Sequence, residues 1–204
     1  MYQVSKPNNL YHCAEGRQLV TLPVKLIKTI EKSEIAEFFQ ESVGEWRSQR
    51  RYYTLSSGTT KEIVSAIAIR YLEQGSAELQ QLAKLHELPD AVSLVCGTEV
   101  IWESTDSVTG KKESHGSTLF GALGNILYRD RGFATSKPIT AEFYFPNPKT
   151  LCLRTEYNNS VFEEELKLIG SKYRTRQSII SRAGEQLMIG QYLETRVESV
   201  SMIP

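Results

Sequence analysis

The stretch Ser160-Val161-Phe162-Glu163-Glu164-Glu165-Leu166-Lys167-Leu168-Ile169-Gly170-Ser171-Lys172-Tyr173-Arg174-Thr175-Arg176-Gln177-Ser178-Ile179-Ile180 decides the fold class. Two arms rich in β-forming residues flank the turn pair Gly170-Ser171, which predicts an antiparallel hairpin. Side chains alternate faces along a strand. Glu163 and Glu165 therefore share one face, and Arg174 and Arg176 share one face. On this reading carboxylates stand near guanidiniums across the ladder. If that face is exposed, these are surface pairs worth about 0–1 kcal/mol. If it looks into a closed sheet, it is a site for an acidic ligand. Arg grips carboxylates with a bidentate fork, and buried charge is tolerated only when paired.

The same period of two runs through most of the chain. Trp46 to Leu55, Glu62 to Leu72, Val92 to Trp102, Glu113 to Leu119, Gly124 to Arg131, Ile139 to Tyr144, Thr150 to Tyr157 and Glu185 to Val197 all read as strands. Turn chemistry separates them: Ser56-Ser57-Gly58, Thr109-Gly110, Gly121 and Gly124, Pro146-Asn147-Pro148, Asn158-Asn159 and Ala183-Gly184. Two segments read as helices. One has Ser33 as N-cap, Ile35, Phe38, Phe39 and Val43 at helical spacing, and Gly44 as C-cap. The other carries Leu79, Leu82, Leu85 and Leu88 before Pro89. About ten short strands joined by tight turns predict an antiparallel up-and-down barrel, wide enough to enclose one small ligand. Residues 1–33 read as an N-terminal extension, 34–197 as the barrel domain and 198–204 as a tail.

Composition narrows the function classes. Lys+Arg and Asp+Glu both number 24 among 204 residues. Zero net charge argues against a nucleic-acid binder that relies on a bulk positive field. No apolar run approaches the roughly 18–20 residues of a membrane span, and no signal peptide is evident. Cys13, Cys96 and Cys152 form an odd, sparse set, which reads as reduced thiols in a cytosol-like compartment. None sits by an evident activating cation, which predicts bystanders. His12, His86 and His115 have no nucleophile-elbow or zinc spacing, so neither a hydrolase triad nor a metal site is expected. Gly121-Ala122-Leu123-Gly124 lacks the Lys of a phosphate loop.

The aromatics Trp46, Tyr52, Tyr53, Trp102, Phe143, Tyr157 and Tyr173 fall on predicted strands. They suit a core, and equally the lining of a cavity for a flat conjugated ligand. Alternation groups Arg50 with Trp46 and Tyr52, and Arg47 with Arg51. Arg50 with Arg174 and Arg176 would make a cluster matched to a dicarboxylate.

The ordered set of motifs resembles the S/U-type phycobiliprotein lyases. Phe38-Phe39 through Ser42-Val43-Gly44-Glu45-Trp46-Arg47-Ser48-Gln49-Arg50 resembles that family's opening. Cys96-Gly97-Thr98 to Trp102, His115-Gly116-Ser117-Thr118, Tyr128-Arg129-Asp130-Arg131-Gly132-Phe133-Ala134, Thr155-Glu156-Tyr157 and Tyr173 to Ile179 follow in the family's order. The resemblance spans about residues 34–197. It implies a ten-stranded lipocalin-like barrel, similar to fatty-acid-binding proteins. It implies non-covalent binding of an open-chain tetrapyrrole, phycocyanobilin or phycoerythrobilin, with no metal. It further implies delivery of that bilin to a cysteine of a phycocyanin, allophycocyanin or phycoerythrin subunit as a thioether. The setting would be the cyanobacterial cytosol or an algal plastid stroma, alone, as a homodimer or with a sister lyase subunit.

For that chemistry Arg50, Arg174 and Arg176 are the candidates for the two propionates. Glu163 or Glu165, and next Glu156, are candidates to hold the pyrrole nitrogens and fix their protonation. Trp46 and Trp102 are candidate ring contacts. Where many relatives read Ser-Gln-Arg-x-x-His-His, this chain reads Ser48-Gln49-Arg50-Arg51-Tyr52-Tyr53-Thr54. Tyr53 thus takes a histidine's place and is a catalytic candidate. Gly116 stands where the family has Glu after its His, or, with the alignment shifted by one, matches the Gly that follows that Glu. The alternatives are a lipocalin-like carrier of a bilin or fatty acid, and a non-catalytic partner of a sister lyase.

Overall fold

The structure, a computed structural model, describes residues 34–132 and 135–198. Ten antiparallel strands close into a barrel, in which each strand pairs with its sequence neighbours and the last pairs with the first. They are β1 (Gly44–Thr54), β2 (Thr59–Glu73), β3 (Cys96–Asp106), β4 (Lys112–Leu123), β5 (Ile126–Arg129), β6 (Ile139–Asn147), β7 (Thr150–Tyr157), β8 (Ser160–Ile169), β9 (Tyr173–Arg182) and β10 (Glu185–Arg196). Helix α1 covers residues 34–42 and α2 covers Ala77–Leu85. The barrel expected from the turn spacing is the one observed. The expected N-cap Ser33 and residues 1–33 lie outside the described residues, as do residues 199–204.

Several strand limits differ from the sequence reading, and three of the differences bear on how the barrel is closed and covered. Gly44 does not cap a helix in place; it opens β1 at a φ of 123°, and Val43 before it is exposed. The third strand starts at Cys96 rather than Val92, because Leu94 packs with Leu72, Leu79 and Leu82 under α2. β4 runs on to Leu123 and leaves β5 only four residues long.

Helix α1 plugs one end of the barrel. Ile35, Phe38 and Phe39 are buried there against Trp46, Ile67, Ile69 and Leu151. The last carbonyls of a helix need partners from outside it. Trp46 Nε1 donates to the carbonyl oxygen of Ser42 at 2.9 Å. Arg196 donates to the carbonyl oxygens of Glu41 at 2.6 Å and of Val43, and its Nε reaches that of Ser171 at 2.8 Å. A guanidinium at a helix C-terminus also complements the helix dipole.

Helix α2 lies on the outside of the barrel over β3 and β4. Gly97 and Gly121 face each other across those strands. A Cβ on Gly121 would stand 2.6 Å from Leu94 Cδ1, and one on Gly97 would stand 2.1 Å from the carbonyl oxygen of Phe120. The glycine pair lets the helix sit against the sheet.

The end opposite α1 is ringed by the loops at 55–58, 107–111, 158–159 and 183–184, together with residues 130–132 and 135–138. The two-residue turn Asn158-Asn159 has both residues at positive φ, 52° and 59°. That is the backbone a tight hairpin favours, and Asn tolerates it.

Candidate functional site

A cavity of about 550 Å³ fills the barrel between α1 and the β5–β6 loop. Two unlike walls line it. One is apolar and aromatic: Ile67 and Ile69 on β2, Val100 and Trp102 on β3, Phe120 on β4, Leu127 on β5, and Leu151 and Leu153 on β7. Trp102 lies against the wall because its cross-strand neighbour is Gly116, where a Cβ would come within 2.9 Å of the indole. A residue without a Cβ at 116 therefore makes room for that ring.

The other wall is polar and built in layers by register across β1, β10, β9 and β8. Ser48, Glu194, Arg174 and Leu168 form the row nearest α1. Arg50, Tyr192, Arg176 and Leu166 form the next. Tyr52, Gly190, Ser178 and Glu164 form the third.

Glu194 is 1% exposed. It accepts from Arg174 Nε at 2.5 Å and from Ser48 Oγ at 3.2 Å. Burial alone would raise its pKa, but Arg174, then Arg176 and Arg50, hold it below the usual carboxylate value. Glu164, also buried, accepts from Nε of Arg176 at 2.7 Å and from its Nη2. Burial disfavours the Arg176 cation, yet Glu164 outweighs it and keeps that guanidinium more firmly charged than usual. Burial pushes the Tyr192 phenol up to about 12, with Arg176 opposing. Arg129 stacks on Phe120, its Cζ 4.8 Å from the ring centre. Burial lowers its pKa against the pull of Glu164.

Five guanidiniums line the cavity, from Arg50, Arg129, Arg131, Arg174 and Arg176, against the carboxylates of Glu164 and Glu194. Arg131 pairs with Asp130. Arg50 donates to Ser48 Oγ at 3.4 Å and has no carboxylate within salt-bridge reach among the described residues. The site is thus an apolar slot with an excess of positive charge along one wall. It suits an elongated unsaturated ligand bearing more than one acid group.

The structure sorts the sequence candidates. Arg50, Arg174, Arg176 and Trp102 line the cavity. Trp46 does not: it is buried between α1, Arg174 and Arg196, the latter two stacked at 5.0 and 4.2 Å from the ring centre. Glu163 and Glu165 are corrected from the interior to the outer surface, where both are exposed and Glu163 pairs with Arg154. A two-residue turn at Gly170-Ser171 would set Glu165 across from Arg176. The loop instead has three residues, Gly170 to Lys172, so Leu166 faces Arg176 and Glu164 takes the inner position. Glu156 is also outside, paired with Arg154. Tyr53 alternates outward beside Arg51 and does not reach the cavity.

Glu194, Tyr192 and Arg129 were not singled out by sequence. Each sits at an inward position of its strand, so the signal was the alternation itself. Cys96 is fully buried in the core and Cys152 lies on the outer face beside Tyr144. Neither lines the cavity, and Cys13 lies outside the described residues. Among the described residues no helix is long and apolar enough to cross a membrane.

The model of the CpeS-like protein family matches residues 34–197. A protein of Nostoc sp. carrying the provisional name phycocyanobilin lyase CpcS 2 is 73% identical over 173 residues, 85% of this chain and 96% of that protein. The phycocyanobilin lyase subunit CpcS of Picosynechococcus sp. is 30% identical over 156 residues, 72% of this chain and 78% of that protein. The solved S-type phycobiliprotein lyase CPES from Guillardia theta superposes with a TM-score of 0.69 at 24% identity, covering 84% of this chain and 98% of that one. This last likeness is one of fold.

Proposed function

The chain belongs to the CpeS-like family, and on that premise we propose that it is a chromophore lyase whose barrel holds a phycobilin non-covalently and hands it to a cysteine of a phycobiliprotein subunit. The observation that carries the reading is Arg50, a guanidinium facing an apolar cavity with no carboxylate partner among the described residues, in register with Tyr192 and Arg176. Arg50 is half-buried and makes no ion pair within reach among the described residues, so an anionic ligand would give it the partner that it lacks. A bilin supplies two propionates for the polar wall and a conjugated chain for the apolar one. Glu164 is the carboxylate placed to face the pyrrole nitrogens.

The transfer joins the acceptor's sulfur to the exocyclic ethylidene carbon of ring A, and the thiol hydrogen ends on the adjacent ring carbon. Nothing is oxidised or reduced, and the lyase needs no nucleophile of its own. Its residues contribute by orienting the bilin, holding its protonation state and keeping water from the reacting end. The acceptor thiol enters at the loop-ringed end, since α1 closes the other. Reduced acceptor cysteines fit the cyanobacterial cytosol or a plastid stroma.

The test mixes the purified protein with phycocyanobilin or phycoerythrobilin and then with apo-subunits of phycocyanin, allophycocyanin or phycoerythrin. A denaturant-sensitive bilin spectrum that becomes denaturant-resistant on the acceptor supports the lyase. Binding without transfer, with or without a sister subunit, supports a carrier instead.

A further inference from the structure

Tyr192 occupies the middle of one register row, directly paired with Arg50 on one side and Arg176 on the other. The two guanidiniums lie 5.6 and 5.1 Å from the centre of its ring. Both cations therefore use one aromatic ring as their neighbour. The ring is buried and held from several sides. Tyr52 packs edge-on against it at 5.7 Å, and the Tyr192 hydroxyl donates to that of Tyr52 at 3.3 Å. The space above it exists because residue 190 is glycine. A Cβ there would fall 2.5 Å from Ser178 Oγ and 3.0 Å from Tyr192 Cε2.

Arg50 and Arg176 sit on strands two spacings apart, so their backbones are about 10 Å apart. Like charges on flexible stems in one cavity would otherwise take up any separation that relaxes their repulsion. A rigid ring wedged between them fixes it. Arg176 also pairs with Glu164, which keeps its guanidinium charged.

We infer that Tyr192 is a positioning residue that sets the spacing of Arg50 and Arg176 so that one ligand engages both through two carboxylates. The inference rests on the bilin reading above and adds to it the device that selects a diacid over a monoacid. The ring does this work, and the hydroxyl is secondary.

The experiment compares binding of phycocyanobilin with binding of its dimethyl ester, which keeps the chromophore and removes both charges. Wild-type protein should prefer the diacid by tenfold or more for each anchored carboxylate, about a hundredfold in all. Tyr192→Leu should cut that preference to about tenfold, read as the ratio of diacid to ester affinity within the same variant. Tyr192→Phe should keep the full preference, a rescue that a merely structural loss would not give. Gly190→Ala pushes the ring without deleting it, and carries the test should Tyr192→Leu fail to fold; it too should lower the preference. Full discrimination in both Tyr192→Leu and Gly190→Ala, or loss of it in Tyr192→Phe, would overturn the inference and leave the bilin reading standing. Wild-type protein that binds neither form, or both equally, would overturn the anchoring reading and the inference with it.

Discussion

Glu164 on β8 points into the barrel and pairs with Arg176 on β9, one register step away, while Glu163 and Glu165 on either side of it point out. The pair is nearly dry on the acid side. Removing one member of a buried pair leaves the other uncompensated, at about 3–5 kcal/mol. Arg176 keeps some contact with solvent, so Arg176→Ala should cost on the order of 3 kcal/mol, at the low end of that range. Urea unfolding measures it.

Arg50 should behave in the opposite way. It bonds only weakly to Ser48 and has no carboxylate partner among the described residues. Arg50→Ala should leave stability within about 1 kcal/mol. It should weaken bilin binding by about 1.5–3 kcal/mol through loss of a charged hydrogen bond. Fluorescence titration read beside a melting curve separates the two effects.

Acid should loosen the closed end of the barrel through Glu194. Its folded pKa lies below the ordinary 4.5. Between the two values the unfolded chain binds more protons than the folded one, so stability rises with pH there. The contribution is complete above the unfolded value and is lost as pH falls through the folded one. Glu194→Gln should lower stability at neutral pH and flatten the fall on the acid side. Chemical unfolding at a series of pH values from neutral to strongly acid checks this; an unchanged acid limb would contradict it.

The outer glycines give a prediction free of any ligand. Gly121→Ala meets the movable tips of Leu94 and Leu82, whereas Gly97→Ala meets a backbone carbonyl. Overpacking of the first kind costs about 1–3 kcal/mol, and the second should cost more. Thermal melts of the two variants rank them.

No cysteine of the chain should be needed for transfer. Cys96 is enclosed in the core and Cys152 faces outward. Cys13→Ser, Cys96→Ala and Cys152→Ser combined should leave the yield of thioether adduct unchanged in a folded protein. Loss of transfer would point to a covalent intermediate on the lyase.

Strand order and the rough position of each strand were legible in the sequence because turn residues punctuate a period of two. β7 and the first arm of the charged hairpin begin and end where the pattern places them. The direction of each face was not legible. Alternation fixes which residues travel together, and loop length fixes which set meets which on the next strand. One extra loop residue, Lys172, exchanged Glu164 for Glu163 and Glu165. Tyr53 is a different case: alternation already set it opposite Arg50 and Tyr52, and the structure keeps it on that outer face. Glu194 and Tyr192 went unmarked because an isolated acid or tyrosine on a strand has no local signal. They matter only through neighbours on β1 and β9 that are far away in sequence.

The most direct test of the account is the absorbance of bound phycocyanobilin in Glu164→Gln beside that in the Glu163→Gln, Glu165→Gln double variant. A carboxylate facing the pyrrole nitrogens favours their protonated form, which shifts the visible band. Glu164→Gln should change the band and its pH dependence, and the double variant should match wild type. A wild-type spectrum in Glu164→Gln, with the shift appearing in the double variant, would contradict the placement of the bilin inside the barrel.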